Sequence, residues 1–304
     1  MSQADESQQS LDHLGAEAAR LVAEAGLPPE AIPGDKFFSP VVEAEVDAGL
    51  AAARREKEAA REAAHTHADA EAAARASAPA PTTGNELQAA IAARRAAGDT
   101  TPLRLGVLIS GSGTNLQAII DRIAAGTLDA TIELVVSSRP SAQGLQRAEK
   151  AGIQTLTLSK EIYANPMAAD EVIASELYQH KVDYVVMAGY MRMVHAPILV
   201  TFPNRVVNLH PALLPSFPGA HAIDEAYERG VKVTGVTVHL ANAAYDAGPI
   251  IAQRPVVVRE GWSVDELETA IHEVEHELYP ETIQLLAEGR VQVRSDGTVE
   301  VEPR

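Results

Sequence analysis

From residue 103 onward, short apolar runs alternate with stretches in which apolar positions recur every three or four residues, and the two periods separate strands from helices. Strands are predicted at 105–109, 132–136, 154–158, 182–188, 206–207, 232–240 and 250–258, and helices at 116–125, 142–151, 168–180, 223–230 and 263–288. Ser263 with Glu266 three residues later makes a capping box, which fixes the start of the last helix. The stretch 291–301 around Asp296-Gly297 reads as a hairpin. This alternation predicts an α/β fold with a mostly parallel central sheet and helices on both faces. The run 182–188 is apolar almost throughout and suits a strand covered on both sides.

Residues 1–102 follow a different grammar: thirty are alanine, and Phe37 and Phe38 are the only aromatics. Strong helix formers predict helices at 9–25, 41–75 and 86–97, but the second has no large apolar residue after Leu50 with which to pack. Ala78-Pro79-Ala80-Pro81-Thr82-Thr83-Gly84 reads as a semi-extended linker. The expected organisation is an alanine-rich N-terminal extension over 1–102, helical or disordered and of unknown partner, followed by a catalytic domain over 103–304.

Composition narrows the function classes. A net charge of -17 opposes a phosphate-tracking surface, so no nucleic-acid partner is expected. The absence of cysteine excludes a disulfide framework, a thiolate nucleophile and a cysteine-ligated metal. His221, His272 and His276 lack metal-site spacing, and no metal is expected. No apolar stretch approaches the roughly 20 residues of a membrane span, and the N-terminus lacks a basic region followed by an apolar one. The expectation is a cytoplasmic protein that acts on small molecules and has no membrane partner.

Candidate chemistry gathers at three places. If 206–209 is extended, Asn208 and His210 point the same way at the strand's carboxyl end, and Pro211 stops the strand behind them. Ser110-Gly111-Ser112-Gly113-Thr114-Asn115 joins the first strand to the first helix, where backbone N–H groups and the helix N-terminus suit a phosphate. It lacks the third glycine of a dinucleotide fingerprint and the Gly-Lys of a P-loop, so a single phosphate ester fits best. Asp246, before Gly248-Pro249 in the loop between two strands, is the carboxylate expected to orient His210 and raise its pKa. On these residues alone, simpler roles remain open: a solvated polar strand end, a tight turn capped by Thr114 or Asn115, and a turn aspartate. His239 reads as a structural residue near the site. No Gly-x-Ser-x-Gly elbow supports a covalent serine intermediate.

Four blocks together resemble one family. Ile109-Ser110-Gly111-Ser112-Gly113-Thr114-Asn115-Leu116-Gln117, Ala188-Gly189-Tyr190-Met191-Arg192, Asn208-Leu209-His210-Pro211-Ala212-Leu213-Leu214-Pro215 and Asp246-Ala247-Gly248-Pro249-Ile250-Ile251 are similar, in order, to the folate-dependent phosphoribosylglycinamide formyltransferases of purine synthesis. The resemblance covers about 103–304 and implies a Rossmann-like formyltransferase fold. It also implies formyl transfer from 10-formyltetrahydrofolate, as co-substrate, to phosphoribosylglycinamide, without a covalent intermediate. By that resemblance Asn208 and His210 stabilise the oxyanion and Asp246 holds His210 protonated and moves protons through water. Gly113, Thr114, Asn115 and Glu275 bind the nucleotide. Met191, Arg192, Met193 and Val194 line the folate pocket beside Asn208 and Asp246.

The chain departs from the pattern in having no arginine around Ala164-Asn165-Pro166 and no acidic residue in Asn242-Ala243-Ala244-Tyr245. Formyltetrahydrofolate deformylase, a hydrolase of the same superfamily, is the alternative, and its N-terminal β-α-β-β-α-β domain has no counterpart in 1–102. Methionyl-tRNA formyltransferase would add a basic C-terminal domain, which this acidic chain lacks. An inactive formyltransferase-like body recruited through the extension is a third reading, and intact Asn208, His210 and Asp246 speak against it.

Overall fold

The computed structural model describes residues 82–303, and the helices expected at 9–25 and 41–75 lie outside the described residues. Seven strands form the central sheet: β1 (Leu103–Ile109), β2 (Ala130–Ser137), β3 (Thr155–Thr157), β4 (Tyr184–Met187), β5 (Val206–His210), β6 (Val233–Leu240) and β7 (Ile250–Val257). Their order is β3-β2-β1-β4-β5-β6-β7. β1 to β5 pair in parallel, and β6 and β7 add an antiparallel edge. β1 runs outward through β2 to β3, and the chain then returns to lay β4 against its other side. That reversal opens a crevice beyond the carboxyl ends of β1 and β4, where open α/β sheets bind ligands. A separate hairpin pairs β8 (Val291–Val293) with β9 (Val299–Val301).

Strand alternation divides the core into two halves. Leu105, Val107 and Ile109 of β1 pack with α2 (Thr114–Ala124) and α8 (Val264–Ala287), whereas Leu108 packs on the other face with α5 (Pro166–Gln179) and α6 (Ala196–Thr201). β4 repeats the pattern, with Tyr184 and Val186 in one half and Val185 and Met187 in the other. The mostly parallel sheet with helices on both faces therefore follows from the apolar pattern. α8 begins at the expected Ser263–Glu266 capping box. Its buried Tyr279 hydroxyl donates to the carbonyls of Met187 and Val207 at 3.1 and 3.0 Å, which binds the helix beneath β4 and β5. Two short helices escape sequence periodicity, α4 (Lys160–Tyr163) and α6. The remaining ones are α3 (Gln143–Lys150) and α7 (Ala222–Glu228). No described helix is long and apolar enough to cross a membrane.

The helix predicted at 86–97 exists as α1 (Gly84–Ala96) and packs into the body. Ile91 is 1% exposed and joins the α2–α8 core. Gln88 donates to the Tyr184 hydroxyl and the Leu286 carbonyl and accepts from Val291 N–H. Asn85 accepts from Val293 N–H and donates to its carbonyl, at 2.9 and 2.8 Å. Two side-chain amides three residues apart thus occupy the open edge of β8, as a neighbouring strand would. The boundary expected at residue 102 therefore moves upstream of α1, because alanine richness hid the two polar anchors and one isoleucine that attach this helix.

Candidate active site

β5 carries the central pair. It lies parallel to β4 and antiparallel to β6, with Met187 opposite Asn208 on one side and His239 opposite Asn208 on the other. Asn208 and His210, two residues apart, share a face at the strand's end. Asp246 arrives from the β6–β7 loop with φ 49°, a left-handed conformation that aspartate tolerates better than most residues. The loop's return requires glycine at 248, where a Cβ would overlap the Leu240 carbonyl oxygen.

The structure brings Asn208, His210 and Asp246 together and adds His239. His210 Nδ1 lies 3.4 Å from Asp246 Oδ2, and both side chains are buried, 4% and 5% exposed. His210 Nε2 lies 2.7 Å from the Phe217 carbonyl oxygen. Both ring nitrogens therefore face acceptors, an arrangement that suits a doubly protonated ring. Burial nevertheless pulls the His210 pKa below the ordinary 6.5, against the Asp246 charge and the Phe217 carbonyl. The expected upward pull of Asp246 is present, yet the net shift is downward. Loss of hydration around a ring so deeply buried outweighs the nearby carboxylate.

Asp246 is held the other way. Burial works to raise its pKa, yet His239, a hydrogen bond from Gly219 N–H at 2.8 Å, and His210 leave it below the ordinary carboxylate value. His239 Nε2 stands 3.7 Å from Asp246 Oδ1, an ion-pair separation that is too long for a good hydrogen bond. Its Nδ1 faces the Leu240 carbonyl at 3.1 Å and must carry the proton there. In the tautomer with its proton on Nδ1, His239 accepts from Asn208 Nδ2 through Nε2, 3.2 Å away, leaving the second Asn208 N–H for a ligand. The sequence carried one signal for this role: a histidine inside the otherwise buried run of β6, 2% exposed.

At the glycine turn, Gly113 is the N-cap of α2 with φ 70°, and no side chain caps the first turn. A Cβ there would come 2.6 Å from Gly144 Cα, so the turn packs backbone to backbone against α3. Neither Thr114 nor Asn115 is the cap; both lie inside the helix. Arg147 of α3, which the sequence did not single out, donates to the Ser112 carbonyl at 2.8 Å and to Gln117 at 3.2 Å. Asn115 Nδ2 donates to Glu275 Oε2 at 3.0 Å, bringing α8 to the turn.

Burial drives the Glu275 carboxyl above the ordinary 4.5, while Asn115 and His272 pull it down. A raised folded-state pKa means that the folded chain binds the extra proton, so stability falls as pH rises from 4.5 through the raised value. Glu275→Gln removes that penalty. The variant is expected to melt higher than the wild type at pH 8, with the difference closing as pH falls below 4.5 in a thermal-melt series. A gap independent of pH would refute this origin.

On the β4 side, the segment 191–194 shows Met191 and Met193 to solvent, 70% and 39% exposed, and keeps Arg192 partly covered. Val194 is 3% exposed and packs into the core. Arg192 stacks over the Tyr163 ring at 4.6 Å and donates to the Tyr163 carbonyl at 3.0 Å. The fold thereby carries a guanidinium to the start of the 164–166 stretch, which has no arginine of its own.

A family profile described as formyl transferase matches residues 103–283, more than half of the chain. The chain is similar to the phosphoribosylglycinamide formyltransferase of Bacillus subtilis, 37% identical over 183 residues that cover 60% of this chain and 94% of that protein. It is 40% identical over 196 residues to the human trifunctional purine biosynthetic protein adenosine-3, covering 64% of this chain but 19% of that protein. Among solved structures, glycinamide ribonucleotide transformylase 1 from Symbiobacterium toebii superposes with a TM-score of 0.65 at 46% identity, covering 67% of this chain and 95% of that one.

Proposed function

Because the chain belongs to the formyl transferase family, we propose that it moves the formyl group of 10-formyltetrahydrofolate to the amino group of 5-phosphoribosylglycinamide, yielding formylglycinamide ribonucleotide and tetrahydrofolate in de novo purine (IMP) biosynthesis. The observation that carries this reading is the Asn208–His210–Asp246 cluster, its His210 and Asp246 side chains buried, with a phosphate-type turn after β1 and an exposed donor-type segment after β4. The acceptor amine attacks the formyl carbon directly, and the carbonyl oxygen becomes an oxyanion. The free N–H of Asn208 and an N–H of His210 are the donors for that charge, each worth about 3–4 kcal/mol when preorganised. His210 Nε2 is held by the Phe217 carbonyl, so it reaches the oxyanion by exchanging that partner. Asp246 enters ionised, orients His210, and relays the amine proton through water to N10 of the departing folate.

Gly113, Thr114 and Asn115 serve the acceptor phosphate and ribose through the α2 amides, with Glu275 beside them. Met191, Arg192, Met193 and the Val194 backbone form the donor wall. Mixing purified protein with both substrates should release tetrahydrofolate, followed by absorbance, only when the phosphorylated acceptor is present. Release at the same rate without acceptor would select a hydrolase instead.

A further inference from the structure

The segment 191–195, the latter part of the connection from β4 to α6, has no strand or helix of its own, yet buried side chains pin it at both ends. At its start, Met191 N–H donates to Ser110 Oγ at 2.8 Å. At its end, His195 N–H donates to Asp170 Oδ2 at 2.6 Å, and the His195 Nδ1 lies 3.0 Å from the same oxygen. Ser110 and Asp170 are 2% and 3% exposed, so neither hydrogen bond competes with water. Ser110 is itself held, because its hydroxyl is hydrogen-bonded to Ser138 Oγ at 2.6 Å. None of the backbone–backbone hydrogen bonds of loops and caps among the described residues involves Arg192, Met193 or Val194. The pins thus stretch a strip of backbone whose polar groups are uncommitted, which is the surface a flat heteroaromatic ring with edge donors and acceptors requires.

Ser110 opens the Ser110–Asn115 block that reads as a phosphate turn, but its side chain points along the other arm of the crevice. We propose that Ser110 is a positioning residue for the formyl donor, acting with Asp170 through the 191–195 backbone, and takes no part in holding the acceptor phosphate. The inference rests on the donor-wall reading of 191–194. Losing the hydroxyl removes the side-chain partner of the Met191 N–H and lets the peptide turn, an effect of about tenfold on donor binding.

The test is steady-state kinetics on Ser110→Ala with each substrate varied in turn. KM for 10-formyltetrahydrofolate should rise about tenfold while kcat and the acceptor KM stay within about twofold, and Ser110→Thr should restore the donor KM by returning the hydroxyl. Asp170→Ala, at the opposite pin, should give the same donor-selective pattern and stands in if Ser110→Ala does not fold. A rise in the acceptor KM, an equal rise in both, or a fall in kcat alone overturns the proposal. Calorimetric titration with tetrahydrofolate, which needs no turnover, separates the two levels. Wild-type protein that binds no tetrahydrofolate refutes the functional reading, whereas equal binding by wild type and Ser110→Ala refutes only this inference.

Discussion

Replacing His210 with alanine should lower kcat by about 10²–10³-fold, with both KM values changed only a few-fold and the melting temperature largely kept. The reason is where His210 sits. One nitrogen faces Asp246 at 3.4 Å and the other the Phe217 carbonyl at 2.7 Å, so the ring is oriented before substrate arrives. A donor aimed at charge that exists only in the transition state affects kcat far more than ground-state binding. Asp246→Asn should fall in the same range, since the amide can neither relay the amine proton nor hold His210 as the carboxylate does. It also puts an NH₂ or a carbonyl opposite Gly219 N–H, His239 and His210, which now share one carboxylate. The double variant should be little worse than the poorer single one, because the two act as one unit. Strictly additive losses, measured by single-turnover rates at saturating substrates, would show that they act independently.

The second large effect concerns α1. Deleting residues 1–98 should destabilise the domain by several kcal/mol, whereas deleting 1–81 should leave melting and turnover close to the full chain. Removing Ile91 opens a core cavity at a cost of about 2–5 kcal/mol. Removing Gln88 orphans the Leu286 carbonyl and Val291 N–H, and a buried unpaired group costs about 1–3 kcal/mol. Against a total stability of about 5–15 kcal/mol, that sum leaves little folded protein at 37 °C. Every proposed site residue lies between Ser110 and Glu275, so the shorter deletion touches none of them. Thermal melts of the two truncations decide the matter: equal melting temperatures would mean that α1 adds nothing.

Much of this architecture was legible because one face of each strand must be apolar. The alternation Leu105, Val107 and Ile109 against Leu108 is the pattern that divides the core between two helical layers. The pairing of Asn208 with His210 was also legible, since side chains two apart on a strand must share a face. What escaped was set by contacts remote in sequence. His239 meets Asn208 only through the β5–β6 register, and Ser110 meets Met191 across the β1–β4 crossover. α4 and α6 are too short for a period and begin at local caps, Ser159 in one case and His195 held by Asp170 in the other. The direction of the His210 shift depended on burial, which a list of neighbouring charges does not contain.

The most direct measurement follows the formyl carbon itself. Incubating the protein with 10-formyltetrahydrofolate labelled at that carbon, with and without phosphoribosylglycinamide, and separating the products partitions the label between an amide and free formate. Label recovered in formylglycinamide ribonucleotide, in amounts matching the tetrahydrofolate released and abolished in His210→Ala, is the predicted result. Label appearing as formate at a rate indifferent to the acceptor would contradict it.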